Sequence, residues 1–441
     1  MTGFRQWPHK SVLALAWPMI LSNISVPLLG IVDTAILGHL PSPVYLSAVA
    51  LGASLMSLIF WSFGFLRMGT TSLTAQAFGQ KNNQRVDSLL IQSLTMAMLI
   101  GLALALLREP VMEIALQFMQ PSEQTLPLAN QYGQIRLLSA PLVLANLVML
   151  GWFIGCQNTR APLLLLVSTN LVNLVLDMVF IWGFGLNSEG AAWATVCADC
   201  FNFALGAIII TRSRPHWRRA FAQHFSWYWR DYRPLLLINR HLFVRTLCLL
   251  FALAFFNAQS AQMGDVILAT NAIVFQLLMF TAYGLDGIAH ASEALVGASV
   301  GSRQPQQTRR VIATTGFWSF LIASCMALSF AASEHWLITF FTDIELVQKS
   351  LASYSAWIIA LPLLCVAAFW LDGVFIGSGH TNTLQNTMLF SVFCVFFPAW
   401  YVLQPLNNHG LWLAFSLLNL SRGMTLAFCL PRLWQSIESK V

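Results

Sequence analysis

A chain of 441 residues that is 57% hydrophobic and 9% charged, with a mean hydropathy of +0.68, cannot be a soluble enzyme; a dissolved domain carries about 25% charged residues. Its net charge of +6 is no sign of a nucleic-acid partner, because the basic residues gather in particular loops. All eight cysteines lie within apolar runs, which argues against a disulfide framework; Cys197-Ala198-Asp199-Cys200 lacks the soluble setting of a redox motif, and no metal-ligand cluster or cofactor motif stands out.

About 20 apolar residues cross a bilayer as a helix. On that ruler the chain predicts an all-α polytopic membrane protein with twelve spans, at about 11–38, 44–68, 88–107, 127–156, 161–183, 190–211, 238–263, 267–298, 309–331, 346–377, 384–404 and 408–430. The first run is too long for a cleavable leader. One set of ends and loops holds Arg5, Lys10, Lys81, Arg85, Arg160, Arg303, Arg309, Arg310, Arg432, Lys440 and the dense stretch from Arg212 to Arg240. The opposite loops hold only Arg108, Arg136 and Lys349, beside Glu109, Glu123, Asp265, Asp343 and Glu345. The basic set marks the cytoplasmic side, so both termini are expected there.

Span 1 carries a carboxylate, Asp33, deep in an apolar run, where even lenient scales charge ~2.5–3.5 kcal/mol for insertion. Pro18 and Pro27 precede it and are expected to kink the helix, giving a bend that ion or proton binding at Asp33 could drive. In span 5, Asn170, Asn173 and Asp177 are spaced three and four residues apart and form one polar stripe. Thr195 and Asp199 are one turn apart on span 6. At 1.5 Å per residue, Asp33, Asp177 and Thr195 lie ~33 Å, ~24 Å and ~8 Å from the starts of their spans, which puts all three in the outer half of the bilayer. Their carboxylate, amide and hydroxyl oxygens suit sodium, while the same acids could instead carry a proton. Asp199 has no identifiable partner in the sequence.

In the second half, Asp286, His290 and Glu293 share one face of span 8, and Asp372 lies at similar depth on span 10. A histidine between two acids could relay protons; a structural trio is the bland reading. Arg67 and Arg422 sit within or near spans and could pair with acids or accept anionic substrates, a choice the sequence leaves open.

The chain repeats itself. Phe153-Ile154-Gly155 recurs as Phe375-Ile376-Gly377 (377 − 155 = 222), Gly79 as Gly301 (301 − 79 = 222), Ala35-Ile36-Leu37-Gly38 as Ala261-Gln262-Met263-Gly264 (264 − 38 = 226), and Gly190-Ala191-Ala192-Trp193 as Gly410-Leu411-Trp412 (410 − 190 = 220). Two pseudo-symmetric six-helix lobes are expected, 1–211 and 238–441, joined by a cytoplasmic basic linker at 212–237. The repeat sets Asp33 against Gln259 and Asp372 against Leu150, so the halves carry different acids.

Pro27-Leu-Leu-Gly-Ile-Val-Asp33-Thr34-Ala-Ile-Leu-Gly38-His39, Thr74-Ala-Gln-Ala-Phe-Gly79, Gly155-Cys-Gln-Asn-Thr-Arg160-Ala-Pro162 and Leu371-Asp372-Gly373-Val-Phe375-Ile376-Gly377 resemble the multidrug and toxic compound extrusion (MATE) family, closest to its DinF-like branch, over essentially the whole length. The resemblance implies two lobes, alternating access, and export of lipophilic, often cationic compounds driven by protons or sodium. It implies no organic cofactor, a monomer in the bacterial inner membrane, and small lipophilic molecules and lipid as partners. It also implies that Asp33, Asn173, Asp177 and Thr195, with Asn170 nearby, form the cation or proton site, and it matches Glu293 and Asp372 to cation-binding acids of another branch. A lipid-linked precursor flippase of the same superfamily is the rival, but acids outnumber bases inside the spans. A non-transport membrane protein lacks a nucleophile–base pair or metal motif to support it.

Overall fold

In lipid every backbone N–H and C=O must be satisfied within the segment, so long apolar runs have to be helical. The computed structural model describes residues 8–38, 43–119, 122–214 and 228–439, and among them no strand occurs. The first half runs α1 (Pro8–Gly38), α2 (Pro43–Ser62), α3 (Phe65–Gly79), α4 (Asn83–Leu106), α5 (Arg108–Met119), α6 (Thr125–Leu138), α7 (Ala140–Gly155), α8 (Arg160–Asp177) and α9 (Asn187–Ser213). The second runs α10 (Trp229–Gln262), α11 (Asp265–Gly301), α12 (Pro305–Ala332), α13 (Glu334–Phe341), α14 (Glu345–Gly377), α15 (Thr381–Phe390), α16 (Phe397–Leu403) and α17 (Asn407–Glu438).

Helices α2 and α3 make one span, Val44–Gly79. Nine described stretches are long and apolar enough to cross a membrane, and α6 with α7, bent by 54°, makes ten. Helix α1, with 31 residues, adds one. The 58-residue stretch Thr381–Glu438 counts as two, because Asn407 at φ +50° turns the chain back. That gives twelve, as the hydropathy runs predict.

Caps and breaks have local causes. Asn82 caps α4, its Oδ1 accepting the Arg85 N–H at 2.9 Å. Between α10 and α11 the backbone reaches φ +97° at Gly264, where a side chain would be strained. The span between α6 and α7 breaks at Ser139-Ala140-Pro141, since a proline cannot continue the hydrogen-bond ladder. Two π-helical turns, Met178–Gly183 after α8 and Ser391–Phe396 after α15, widen their spans. Helix α10 begins at Trp229, so Arg230 and Arg233 of the basic stretch already lie in its first turns; residues 215–227 of that stretch lie outside the described residues.

The chain divides into two compact units. The first comprises Leu21–Phe78 and Asn82–Leu236; the second comprises Leu237–Val441 with Gly79–Lys81 and the described part of Met1–Ile20. The division falls within α1, two residues past Pro18 (20 − 18 = 2).

Lipid removes most of the hydrophobic drive between helices, so close packing and polar bonds must hold them. In the first unit a Cβ on Gly151 would strike the Arg67 carbonyl, and one on Gly155 would crowd Thr74 and the Thr71 carbonyl. In the second unit Gly373 meets Ala289 and Gly377 meets Glu293 in the same way. The spacing is constant: 151 − 67, 155 − 71, 373 − 289 and 377 − 293 all equal 84, so α3/α7 and α11/α14 are parallel pairs in the same register. Between units each contact recurs at 222, the offset of the sequence repeat. In the second unit, Trp412, fully buried, stacks edge-on to Phe256 at 4.7 Å, and its Nε1 donates to Asn271 Oδ1 at 2.8 Å.

Candidate functional site

In the first unit α8 carries the predicted stripe. Asn173 and Asp177 are each 4% exposed, and Asn170 is half-buried. The Asn173 Nδ2 finds no acceptor among the described residues. Asn170 Nδ2 donates to Ser25 Oγ of α1 at 3.4 Å, which fixes the relative height of the two helices. Spans 1 and 5 run in the same direction, since four crossings separate their starts. Asp33 lies eight residues beyond Ser25 (33 − 25) and Asp177 seven beyond Asn170 (177 − 170). Each is therefore about two turns further on, so the backbones of the two acids lie at one level. The side chains of Asp33 and Pro27 lie outside the described residues; Pro18 is half-buried in α1.

Helix α9 returns alongside α8. Gly190 meets the Phe180 backbone, where a Cβ would come within 3.1 Å. Descending antiparallel from that contact, Thr195 is level with about residue 175 and Asp199 with about residue 171. Thr195 is thus within about one helical turn of Asp177 in height, its Oγ1 donating to the Ala191 carbonyl at 2.9 Å. Asp177 is the last residue before the first π turn, whose wide backbone bond runs from Phe184 N–H to Val179 O at 3.0 Å. Such turns recur at functional sites, and nothing in the sequence announced this one.

Asp199 has a partner, and it is Arg136. The arginine expected in an outer loop is instead buried near the end of α6, 8% exposed. Its Nη1 donates to Asp199 Oδ2 at 2.7 Å and to Ser139 Oγ at 3.0 Å, with the guanidinium 5.8 Å from the Phe60 ring centroid. Ser139 Oγ is also 2.9 Å from Asp199 Oδ2, and Asn146 Nδ2 donates to the Asp199 carbonyl at 3.1 Å. This neutral network sits at the 54° bend between α6 and α7. The available signal was an arginine abutting an apolar run and followed by Ser-Ala-Pro.

The second unit gathers its residues differently. On α11, Glu293 is 2% and His290 8% exposed, and Asp286 is half-buried. Asp372 on α14 does not stand open: Arg245 of α10 donates to its Oδ2, and Arg422 of α17 donates to the same oxygen at 2.7 Å. Among the described residues no group of three or more His, Cys, Asp or Glu has the makings of a metal site.

The comparisons agree with this architecture. The family model described as MatE matches twice, over residues 18–179 and 242–402. DNA damage-inducible protein F of Escherichia coli is 40% identical over 429 residues, spanning 97% of this chain and 93% of that protein. The probable multidrug resistance protein NorM of Bacillus anthracis is 24% identical over 449 residues, 97% and 95% of the two chains. A MATE solved in the straight conformation superposes with a TM-score of 0.89 at 19% identity, covering 100% of this chain and 99% of that one.

Proposed function

The chain belongs to the MatE family of multi-pass membrane transporters, and we propose that it is a secondary-active efflux antiporter exporting lipophilic compounds in exchange for protons or sodium by alternating access. One observation carries the reading: the Asn173–Asp177 stripe, buried on α8 at the level of the Asp33 turn, which places carboxylate and amide oxygens together inside a membrane span. An ionisable group inside a membrane span is rare and marks an ion or proton path by default, and the oxygens of this stripe are donors that a cation can use.

Asp33, Asn173, Asp177 and Thr195, with Asn170 beside them, form the coupling site. Sodium would be held there by carboxylate, amide and hydroxyl oxygens, the hard donors that it prefers; a proton would be held by the carboxylates. Helix α1 bends at Pro18 and Pro27 as the site loads, which closes the first-lobe cavity and expels substrate. Asp286 and Glu293 serve the second lobe. The working unit is a monomer in the bacterial inner membrane with both termini cytoplasmic, built as lobes 1–211 and 238–441 around the 212–237 linker.

The test is export from proteoliposomes under separately imposed pH and sodium gradients, comparing wild type with Asp33→Asn and Asp177→Asn. Gradient-driven flux should fall at least about tenfold in both variants, the loss of one charge-assisted contact or more, with normal yield of folded protein. Flux indifferent to both gradients in the wild type would end the antiport reading.

A further inference from the structure

Buried charge in the second unit is arranged as it is not in the first, with two arginines on one carboxylate oxygen. Arg245 of α10 and Arg422 of α17 converge on one oxygen of Asp372, and the three side chains are 7%, 5% and 11% exposed. Arg422 Nη1 donates in addition to Asn419 Oδ1, one turn back on α17, at 3.0 Å. The repeat supplies no counterpart in the first half: Asp372 falls on Leu150 (372 − 222), Arg422 on Asn202 (422 − 220) and Arg245 on Met19 (245 − 226). The buried arginine of the first unit, Arg136, is matched one to one by Asp199.

On the premise that the chain is an efflux transporter, we propose that Arg245 and Arg422 form an anion-accepting subsite on the export path. Asp372 is the internal carboxylate that fills it between turnovers, and the compounds it selects carry a carboxylate on a lipophilic body. A guanidinium is a planar fork that fits a carboxylate through two nitrogens. Here the two forks share a single oxygen, each giving one nitrogen to it. Arg422 has five N–H donors, and its two described bonds go to Asp372 and Asn419. An entering carboxylate that takes the place of Asp372 Oδ2 exchanges one anion for another. The guanidiniums are never left without a counter-charge, which is the costly state for a buried cation. The acids of α11 run alongside, with the Glu293 backbone against Gly377, five residues past Asp372; neither Asp286 nor Glu293 bonds to Arg422 in the structure. A pair of arginines serving only as a bolt between α10, α14 and α17 would be indifferent to the charge of the transported compound. A subsite would not.

Two dyes of one ring skeleton separate these cases: carboxyfluorescein, an anion, and rhodamine 6G, a cation. Their binding to the purified full chain is read by fluorescence anisotropy, and their export is measured in proteoliposomes. In Arg422→Gln and Arg245→Gln, carboxyfluorescein binding should weaken at least about tenfold, with rhodamine 6G held within about twofold, as loss of a charge-assisted bond predicts. Arg422→Lys keeps the charge, and with it the fold, but loses the fork; it should lose about three- to tenfold for the anion alone. That variant decides the matter if the glutamine forms do not elute as a single species. The proposal is overturned if the wild type does not bind carboxyfluorescein, or if Arg422→Lys shifts both dyes equally. Failure of the antiport reading would look different: binding would discriminate between the dyes while flux ignored both gradients.

Discussion

Replacing Asp199 by asparagine keeps the shape of the side chain at the α6–α7 bend and removes its charge. Arg136, whose side chain is 10% exposed, would then face an amide where a carboxylate stood at 2.7 Å. Breaking a buried pair from one side costs ~3–5 kcal/mol, because the surviving charge stays desolvated. Asp199 is 16% exposed, and Ser139 remains as a partner for Arg136, so the low end applies, about 3 kcal/mol. For a folding unit of some 200 residues this corresponds to a fall in Tm of about 6–12 °C. Arg136→Gln should cost a similar amount. The double variant leaves no orphan charge, and should recover about 2 kcal/mol relative to the sum of the singles. The assay is thermal unfolding of purified protein followed by fluorescence-detected size exclusion. Single-variant losses that simply add in the double variant would refute the argument that a buried charge pair holds the bend.

Other consequences follow from packing and burial. Gly377→Ala pushes a methyl onto the Glu293 carbonyl and should destabilise by ~1–3 kcal/mol, whereas Gly183→Ala, with nothing within 4 Å, should leave Tm unchanged; equal effects would contradict the close-approach reading. Asn271 bonds Ser260, Asn408 and Trp412 together. Asn271→Leu should therefore cost about 2 kcal/mol or more through stranded polar groups, and a stable variant by the same melt would count against the network. Cys156, just past the end of α7, has its thiol pushed up to about 12 by burial, against the opposing pull of Arg214. Because the thiolate is the reactive form, maleimide labelling of a variant retaining Cys156 alone should be negligible at neutral pH and rise only as pH approaches that value. Rapid labelling at neutral pH would show the thiol to be open to water.

The spans were legible because a bilayer imposes one rule on every crossing segment, and α8 announced its polar stripe through helical spacing alone. Short helices such as α5 and α13 escaped the ruler because 12 and 8 residues do not cross a membrane. Arg136 was misplaced because a lone basic residue at the edge of an apolar run reads as a loop under any charge-counting scheme. The partners of Asp199 and Asp372 were invisible for a different reason. They lie 63, 50 and 127 residues away in sequence, and local spacing can pair only residues three or four apart. The π turns leave no trace in composition, since they are set by how a helix seats against its neighbours.

What is duplicated in this chain is backbone approach, and what is individual is charge. The four glycine contacts recur at one spacing because parallel helices in lipid need a bare backbone wherever they touch, and any side chain there is penalised in both halves alike. Charges face no such common demand. The first unit couples one arginine to one aspartate at a bend and leaves Asp177 and Asn173 buried together, while the second sets two arginines on one aspartate between three helices. If the repeat served only stability, the cheaper arrangement would be apolar in both units, since a buried ion pair seldom outdoes well-packed hydrophobic residues. Two unlike and costly charge sets on one repeated scaffold are better explained by two unlike tasks, which on the proposed reading are taking up the driving cation in the first unit and adding a contact for the anionic end of the exported compound in the second.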